Sequence, residues 1–439
     1  LTSAASHHRR IARAAFVVAV FVVLGRLGMV LREMAISWKY GASGIVDAYQ
    51  VAFTLTTWVP MAIGSVLTIV LVPVLVRTLG GDASTRQRFI DEIAGNGLVI
   101  AVVLLLLTWI AAPPLAAAMT APLPEQTQRL AADMVRWMAP ASALMVLVAL
   151  LACRTMARER HANSVLEGLP GLVIAVAVVA WPGAATGTDL LAGLLLGTAI
   201  QFVWLAALVA RDPDRLGRPR VGLSASPWSV VVQATGVTLV GQVLMTLITP
   251  LEQVAAAQLG EGAVATLGYA NRILTLIASL GALVISRALL PVLSSIAQAD
   301  PQRARSVAVK WSSAMLAAGA CVVAVGWFLA PPVVALLFER GAFGLTDTLA
   351  VADALRWGLM QFPFYFGGIV LVQLLVVLNR YGLIALIGAA NLLVKVIAMY
   401  LFSKVLGVAG IAAASAPMYL FSFAVMWVIL LSLRTKRLG

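Results

Sequence analysis

The feature that most constrains this chain is the length of its uncharged apolar runs. Between Glu92 and Glu125 there is no Asp, Glu, Lys or Arg, and the stretch VIAVVLLLLTWIAAPPLAAAM is apolar all round. At about 1.5 Å per residue, roughly 20 such residues cross the hydrocarbon core of a bilayer. Composition extends the point to the whole molecule: 62% of the 439 residues are hydrophobic and 11% are charged, against about 25% charged in soluble domains. The polar surface needed to clothe water-soluble domains is missing. The sequence therefore predicts an all-α polytopic membrane protein.

A hydropathy window of about 19 residues places twelve spans, at 14–36, 46–76, 93–119, 130–153, 164–181, 189–210, 229–258, 264–295, 311–337, 347–378, 383–403 and 408–432. The first follows Arg9, Arg10 and Arg13, as in a secretory leader. It lacks a small-residue cleavage site and carries Arg26, so it reads as a retained helix. Alternate loops carry very different numbers of basic residues. Twenty fall on one set, whereas the other holds only Lys39, Arg129, Arg340 and Lys404. By the positive-inside rule this puts both termini in the cytoplasm.

The formal net charge of +13 is thus explained by topology, with no basic domain to suggest nucleic acid. Cys153 and Cys321 sit in apolar runs, and His7, His8 and His161 lie in loops among arginines. Neither set makes a metal or disulfide framework, and no Walker sequence is present. No cofactor is implied.

Seven basic residues fall inside proposed spans: Arg26, Arg32, Arg136, Arg272, Arg287, Arg356 and Lys395. Charge in a span is costly unless it snorkels, pairs or faces a wet cavity, and by default it marks function. Arg136, Arg287 and Arg356 are near helix ends, where snorkelling accounts for them. Arg26, Arg272 and Lys395 lie deeper. Pro60, Pro250, Pro363 and Gly367/Gly368 are candidate bending points within spans.

The chain also looks doubled. DAYQVAFTLTTWVPMAIGSVLTIVLVPVL, from Asp47, and ATLGYANRILTLIASLGALVISRALLPVL, from Ala265, both have an early tyrosine and a closing Pro-Val-Leu, and they start about half the chain apart. Two parallel six-helix lobes around a central cavity follow, 1–215 and 216–439, as suits alternating access.

The segment from Gly25 to Leu75 resembles the opening of the MviN/MurJ family of lipid-linked oligosaccharide flippases, members of the multidrug/oligosaccharidyl-lipid/polysaccharide exporter superfamily. The matching residues are Arg26, Leu27, Gly28, Arg32 and Glu33; Tyr40, Gly41 and Ala42; Asp47, Ala48, Tyr49, Val51, Ala52 and Phe53; and Leu71, Val72, Pro73 and Leu75. Further on, Tyr269-Ala-Asn-Arg272 looks like the family's Y-A-D-R, and Leu337-Phe-Glu-Arg-Gly-Ala-Phe343 like its L-F-x-x-G-x-F. Many members carry two more C-terminal helices beyond the twelve seen here. This sequence also departs from the pattern inside. Pro60, Met61 and Ser65 stand where paired arginines and a glutamate are common, Asn271 replaces an aspartate, and Thr275 a glutamate.

The resemblance implies a flippase moving a polyprenyl-pyrophosphate-linked envelope glycan, lipid II or a relative, across a bacterial inner membrane. Such a protein would be no enzyme and monomeric in its lipid surroundings, driven by an ion gradient or membrane potential. The missing cavity charges bear on which glycan is carried. Arg26, Arg32 and Arg272, with Asn271, suit the pyrophosphate, since guanidinium groups bind phosphate oxygens bidentately. Glu33, part of the same motif, is expected as a gating or ion-pair residue. Asp47 is expected either to close a gate by pairing with Arg32 or Lys39, or to sit as an N-terminal helix charge. Lys395, with Asn391, either lines the second lobe, responds to membrane potential, or makes a buried interhelical pair. Other readings are a drug/cation antiporter of the superfamily, which would want acidic spans, a membrane glycosyltransferase, which would want larger outer loops, and an envelope-assembly scaffold.

Overall fold

The computed structural model describes residues 25, 27–158, 166–212, 217–378 and 380–432. Among these, every regular element is a helix. Eight helices are long and apolar enough to cross a membrane, and two bent pairs raise the number to ten. The fifth expected span is the shorter helix Leu169–Ala180, and most of the first, including Arg26, lies outside the described residues. The described part of that first helix runs over 27–40. It ends at Gly41, whose φ of 61° and N–H bond to the Ser37 carbonyl make it a left-handed C-terminal stop.

Several helices are longer than their apolar runs because capping residues, not hydropathy, set their ends. Asp82 accepts the Thr85 N–H at 2.9 Å, so the third helix is Ala83–Met119 and begins ahead of the expected 93. Asp300 accepts from Gln302 N–H (2.8 Å) and Arg303 N–H (3.1 Å), and Pro301 opens the helix Pro301–Phe338.

Three other prolines each follow the end of a helical segment by one rule. A helical proline lacks an N–H, and its ring collides with the carbonyl four residues back. Four residues before Pro250 is Thr246, the last residue of Trp228–Thr246; Ile248–Ala257 follows. Four before Pro363 is Leu359, the end of Leu345–Leu359, and Phe362–Val377 continues at a bend of 40°. Four before Pro417 is Ala413, where Val408–Ala413 gives way to Ser415–Ser432. Pro60, by contrast, lies inside the unbroken helix Gly44–Leu79. Gly367 and Gly368 are inside Phe362–Val377 and serve close packing: a Cβ on Gly367 would fall 2.9 Å from the Phe423 ring.

By their internal contacts the described residues form two units. One holds those up to Gly41 with Ala48–Thr246, and the other holds Ala42–Asp47 with those from Leu247 onward. In the first, Val66, Val70, Leu71, Phe89, Ile93 and Cys153 form a buried core against which Trp228 packs, edge-on to Phe89 at 5.3 Å. In the second, Tyr269 is fully buried against Phe338 (5.1 Å) and Phe343 (5.4 Å). Gly341, at φ 62°, turns the chain so that Phe343 folds back on Phe338. The two later sequence motifs are therefore one aromatic cluster. Large apolar side chains such as Phe328 (78% exposed) and Val405 (82%) face outward, as lipid contact requires and water would not favour.

Candidate functional site

In the first unit, Arg32 and Glu33 are both buried and paired. Arg32 Nε donates to Glu33 Oε1 at 3.1 Å, Nη2 bonds the same oxygen, and the guanidinium lies 4.9 Å from the Phe53 ring centre. Its edge meets a carboxylate while its face stacks on an aromatic ring. A second cluster ties the end of the first helix to the hairpin of Leu169–Ala180 and Thr188–Ala210. Lys39 Nζ reaches Asp189 Oδ2 at 2.8 Å and the carbonyls of Val178 and Trp181, while Tyr40 OH donates to Asp189 Oδ1.

A third cluster pins the strap that leads to the seventh span. Glu92, fully buried, accepts from Ser224 Oγ, from Ala225 N–H at 3.0 Å and from Trp228 Nε1 at 2.7 Å. Asn96 and Gly222 exchange two hydrogen bonds, and Arg220 N–H donates to the Asp91 carbonyl. Gly95 permits this approach, because a Cβ there would collide with the Arg220 backbone.

In the second unit, Gly262 begins the helix Ala263–Ala299 at φ 82° and has no side chain with which to cap it. Asp47 supplies the cap, accepting Gly262 N–H at 2.5 Å and Ala265 N–H at 2.7 Å. Glu261 returns the favour by accepting Gly44 N–H at 3.0 Å. Asp47 thus takes the helix-terminus alternative, though at a neighbouring helix, and Arg32 and Lys39 have carboxylate partners of their own.

Lys395 is 2% exposed and makes the buried interhelical pair, 2.7 Å from Glu252 Oε1. Asn271 Nδ2 donates to Glu252 Oε2 at 3.2 Å, which joins two of the expected site residues through one carboxylate. Neighbouring Asn391 accepts from Ser422 Oγ at 2.7 Å. Arg272 is half-buried beside Asn271. Of the shallower arginines, Arg136 pairs with exposed Asp133 (3.1 Å), and Arg356 Nε donates to the Trp327 carbonyl (2.8 Å).

Sequence reasoning passed over Glu92, Asp189 and Glu261. Glu92 carried a signal nonetheless, as the last charge before the longest uncharged stretch. Among the described residues no group of His, Cys, Asp and Glu could hold a metal ion. A cavity of about 400 Å³ between Ile277, Cys321 and Leu355 is lined by apolar groups and a thiol, and it offers nothing to a sugar or phosphate.

This architecture is the fold of solved membrane transporters. A solved structure described as lipid II flippase MurJ in an inward closed conformation superposes with a TM-score of 0.78 at 16% identity, over 96% of this chain and 88% of that one. An inward-facing multidrug resistance MATE family transporter gives 0.75 at 14% identity, over 94% and 96%.

Within that class, residues 36–436 match the family described as Lipid II flippase MurJ, and the chain belongs to this family. A probable lipid II flippase MurJ from Synechocystis sp. is 25% identical over 443 residues, 96% of this chain and 82% of the relative. Another, from Rhizobium meliloti, is 28% identical over 354 residues, 75% of this chain and 64% of its own length.

Proposed function

We propose that this protein is a lipid II flippase, carrying the lipid-linked peptidoglycan precursor from the inner to the outer leaflet of a bacterial inner membrane. The observation that carries this reading is the family match over 36–436, which covers nearly the whole chain. Movement without bond-making is what the family does, so the protein acts as a transporter and not as an enzyme. Both termini are cytoplasmic, on the strength of the loop charges. Lobes 1–215 and 216–439 move as the two halves of an alternating-access device, and a single copy suffices.

Arg26, Arg32 and Arg272, assisted by Asn271, bind the pyrophosphate. A buried guanidinium must be neutralised when empty, and Glu33 neutralises Arg32. Cargo phosphate then adds a second anionic partner to the guanidinium beside Glu33, so the arginine is compensated in a low-dielectric site both empty and loaded. Energy comes from an ion gradient or the membrane potential, which is worth about 2.3 kcal/mol per charge per 100 mV. The antiporter reading rests on the fold alone, since the likeness to multidrug transporters is at 14% identity. Arg32→Ala tests the assignment: insertion and folding persist and lipid II transport is lost, whereas full transport would remove Arg32 from the site.

A further inference from the structure

In the second unit an ammonium group sits in a cage of oxygens. Lys395 Nζ lies 2.7 Å from Glu252 Oε1, 2.7 Å from Ser415 Oγ and 3.1 Å from the Ile411 carbonyl oxygen. An ammonium has three N–H donors and no lone pair, so these three oxygens saturate it. One is anionic, one is a hydroxyl and one is a backbone carbonyl. The same set, one negative charge among neutral oxygens, is what a desolvated alkali cation takes.

The way the cage is built points in the same direction. Glu252 comes from the helix Ile248–Ala257, two residues after Pro250. Ile411 lies in the last turn of Val408–Ala413 and Ser415 opens Ser415–Ser432, with only Ala414 between them. Carbonyls at the ends of helical segments within a membrane span are the usual ligands of monovalent cations at membrane depth. Asn271 holds the second oxygen of Glu252 at 3.2 Å and so fixes the carboxylate's aim.

We propose that Lys395 is a tethered cation: its ammonium fills a monovalent-cation site formed by Glu252, Ser415 and the Ile411 carbonyl, and the second unit accordingly binds no free Na⁺ or K⁺ there. The positive charge this cage requires is carried covalently on the helix Tyr381–Leu406. Truncating the side chain vacates the cage and turns it into a site for a free alkali cation. A simple ion pair makes a different claim, since without the lysine it leaves only an uncompensated carboxylate. The cage does not depend on the cargo, and its occupancy is read by binding.

The test uses the full-length protein in detergent, with thermal unfolding followed in NaCl, KCl or choline chloride at equal ionic strength. For Lys395→Ala, Tm is expected to rise saturably by several degrees with Na⁺ or K⁺ and not with choline, as a ligand of the native state requires. Adding Glu252→Gln is expected to abolish that rise. The unsubstituted protein is expected to melt at the same temperature in all three salts, and this arm needs no variant to fold. A saturable Na⁺- or K⁺-specific rise in the unsubstituted protein, or a Lys395→Ala protein that folds but does not distinguish alkali cations from choline, overturns the proposal.

Discussion

Replacing Glu92 by alanine should release the strap formed by residues 217–228 without unfolding the helices. The carboxylate accepts from Ala225 N–H and Trp228 Nε1 at 3.0 and 2.7 Å and from the Ser224 hydroxyl. Leaving a buried donor without its acceptor costs about 1–3 kcal/mol. Ser224 can turn to water and Trp228 is only half-buried, so the two N–H donors together contribute about 3 kcal/mol, in the lower part of the roughly 2–6 kcal/mol that two such donors allow. At 1.4 kcal/mol per tenfold, the open strap becomes about 100 times more populated.

Trypsin reports this directly. Arg220 is exposed and precedes Val221, whereas Arg218 precedes Pro219 and resists cleavage. When opening and closing outpace cleavage, the rate follows the open population. Mass-spectrometric timing of the cut after Arg220 should therefore accelerate about 100-fold in Glu92→Ala, with far-UV circular dichroism unchanged. An unaltered rate in a folded variant would mean that Glu92 does not hold the strap.

Other outcomes follow from the same structure. Gly95→Ala should open the strap as well, because its Cβ cannot fit beside Arg220; a normal trypsin rate would refute the close approach. Asp47→Ala removes the cap of Ala263–Ala299 and should lower stability by about 0.5–2 kcal/mol, read as a reduced Tm, while Asp47→Asn keeps an acceptor and should lose less. Asp189→Ala strands Lys39 and should cost about 3–5 kcal/mol as a broken buried pair; a loss that Lys39→Met does not partly restore would argue against the pairing. Hydroxyl bonding from Ser84, and then bonds from Thr85, hold the exposed Asp82 carboxyl down from 3.8 to about 2. A depressed carboxyl stabilises above its unfolded pKa and loses this as pH falls through the folded one, so the cap should persist at pH 4 and fail towards pH 2 in an NMR titration of Asp82.

Much of this was readable in the sequence, for definable reasons. Spans are legible because lipid demands an apolar surface on nearly every turn, and among the described residues the expected spans fall on helices. Their ends were misjudged where Asp82 and Asp300 prolong a helix into polar sequence, since hydropathy registers the membrane and not the cap. Of the expected bending points, Pro363 sits at a 40° bend, and Pro250 follows the end of Trp228–Thr246 by one turn. Pro60, another, ends no helix, because a long packed helix can absorb one missing hydrogen bond as a gentle kink. The charged spans identified Arg32, Arg272 and Lys395 as unusual but not their partners. Glu252 and Lys395 are 143 positions apart by their numbering, and only the packing of two distant helices brings them to 2.7 Å. Asp47 shows the same limit: its charge suits a helix N-terminus, and nothing local says that the terminus belongs to Gly262.

The central claim is that this chain moves lipid II. The most direct measurement follows purified protein in liposomes containing lipid II, scoring how fast the glycan becomes accessible on the far leaflet with and without an imposed potential, beside Arg32→Ala. The unsubstituted protein is expected to transport lipid II, and Arg32→Ala to lose that transport. Transport of a different polyprenyl-linked glycan with lipid II left in place would contradict the cargo assignment, and failure to move any lipid-linked glycan would contradict the flippase reading itself.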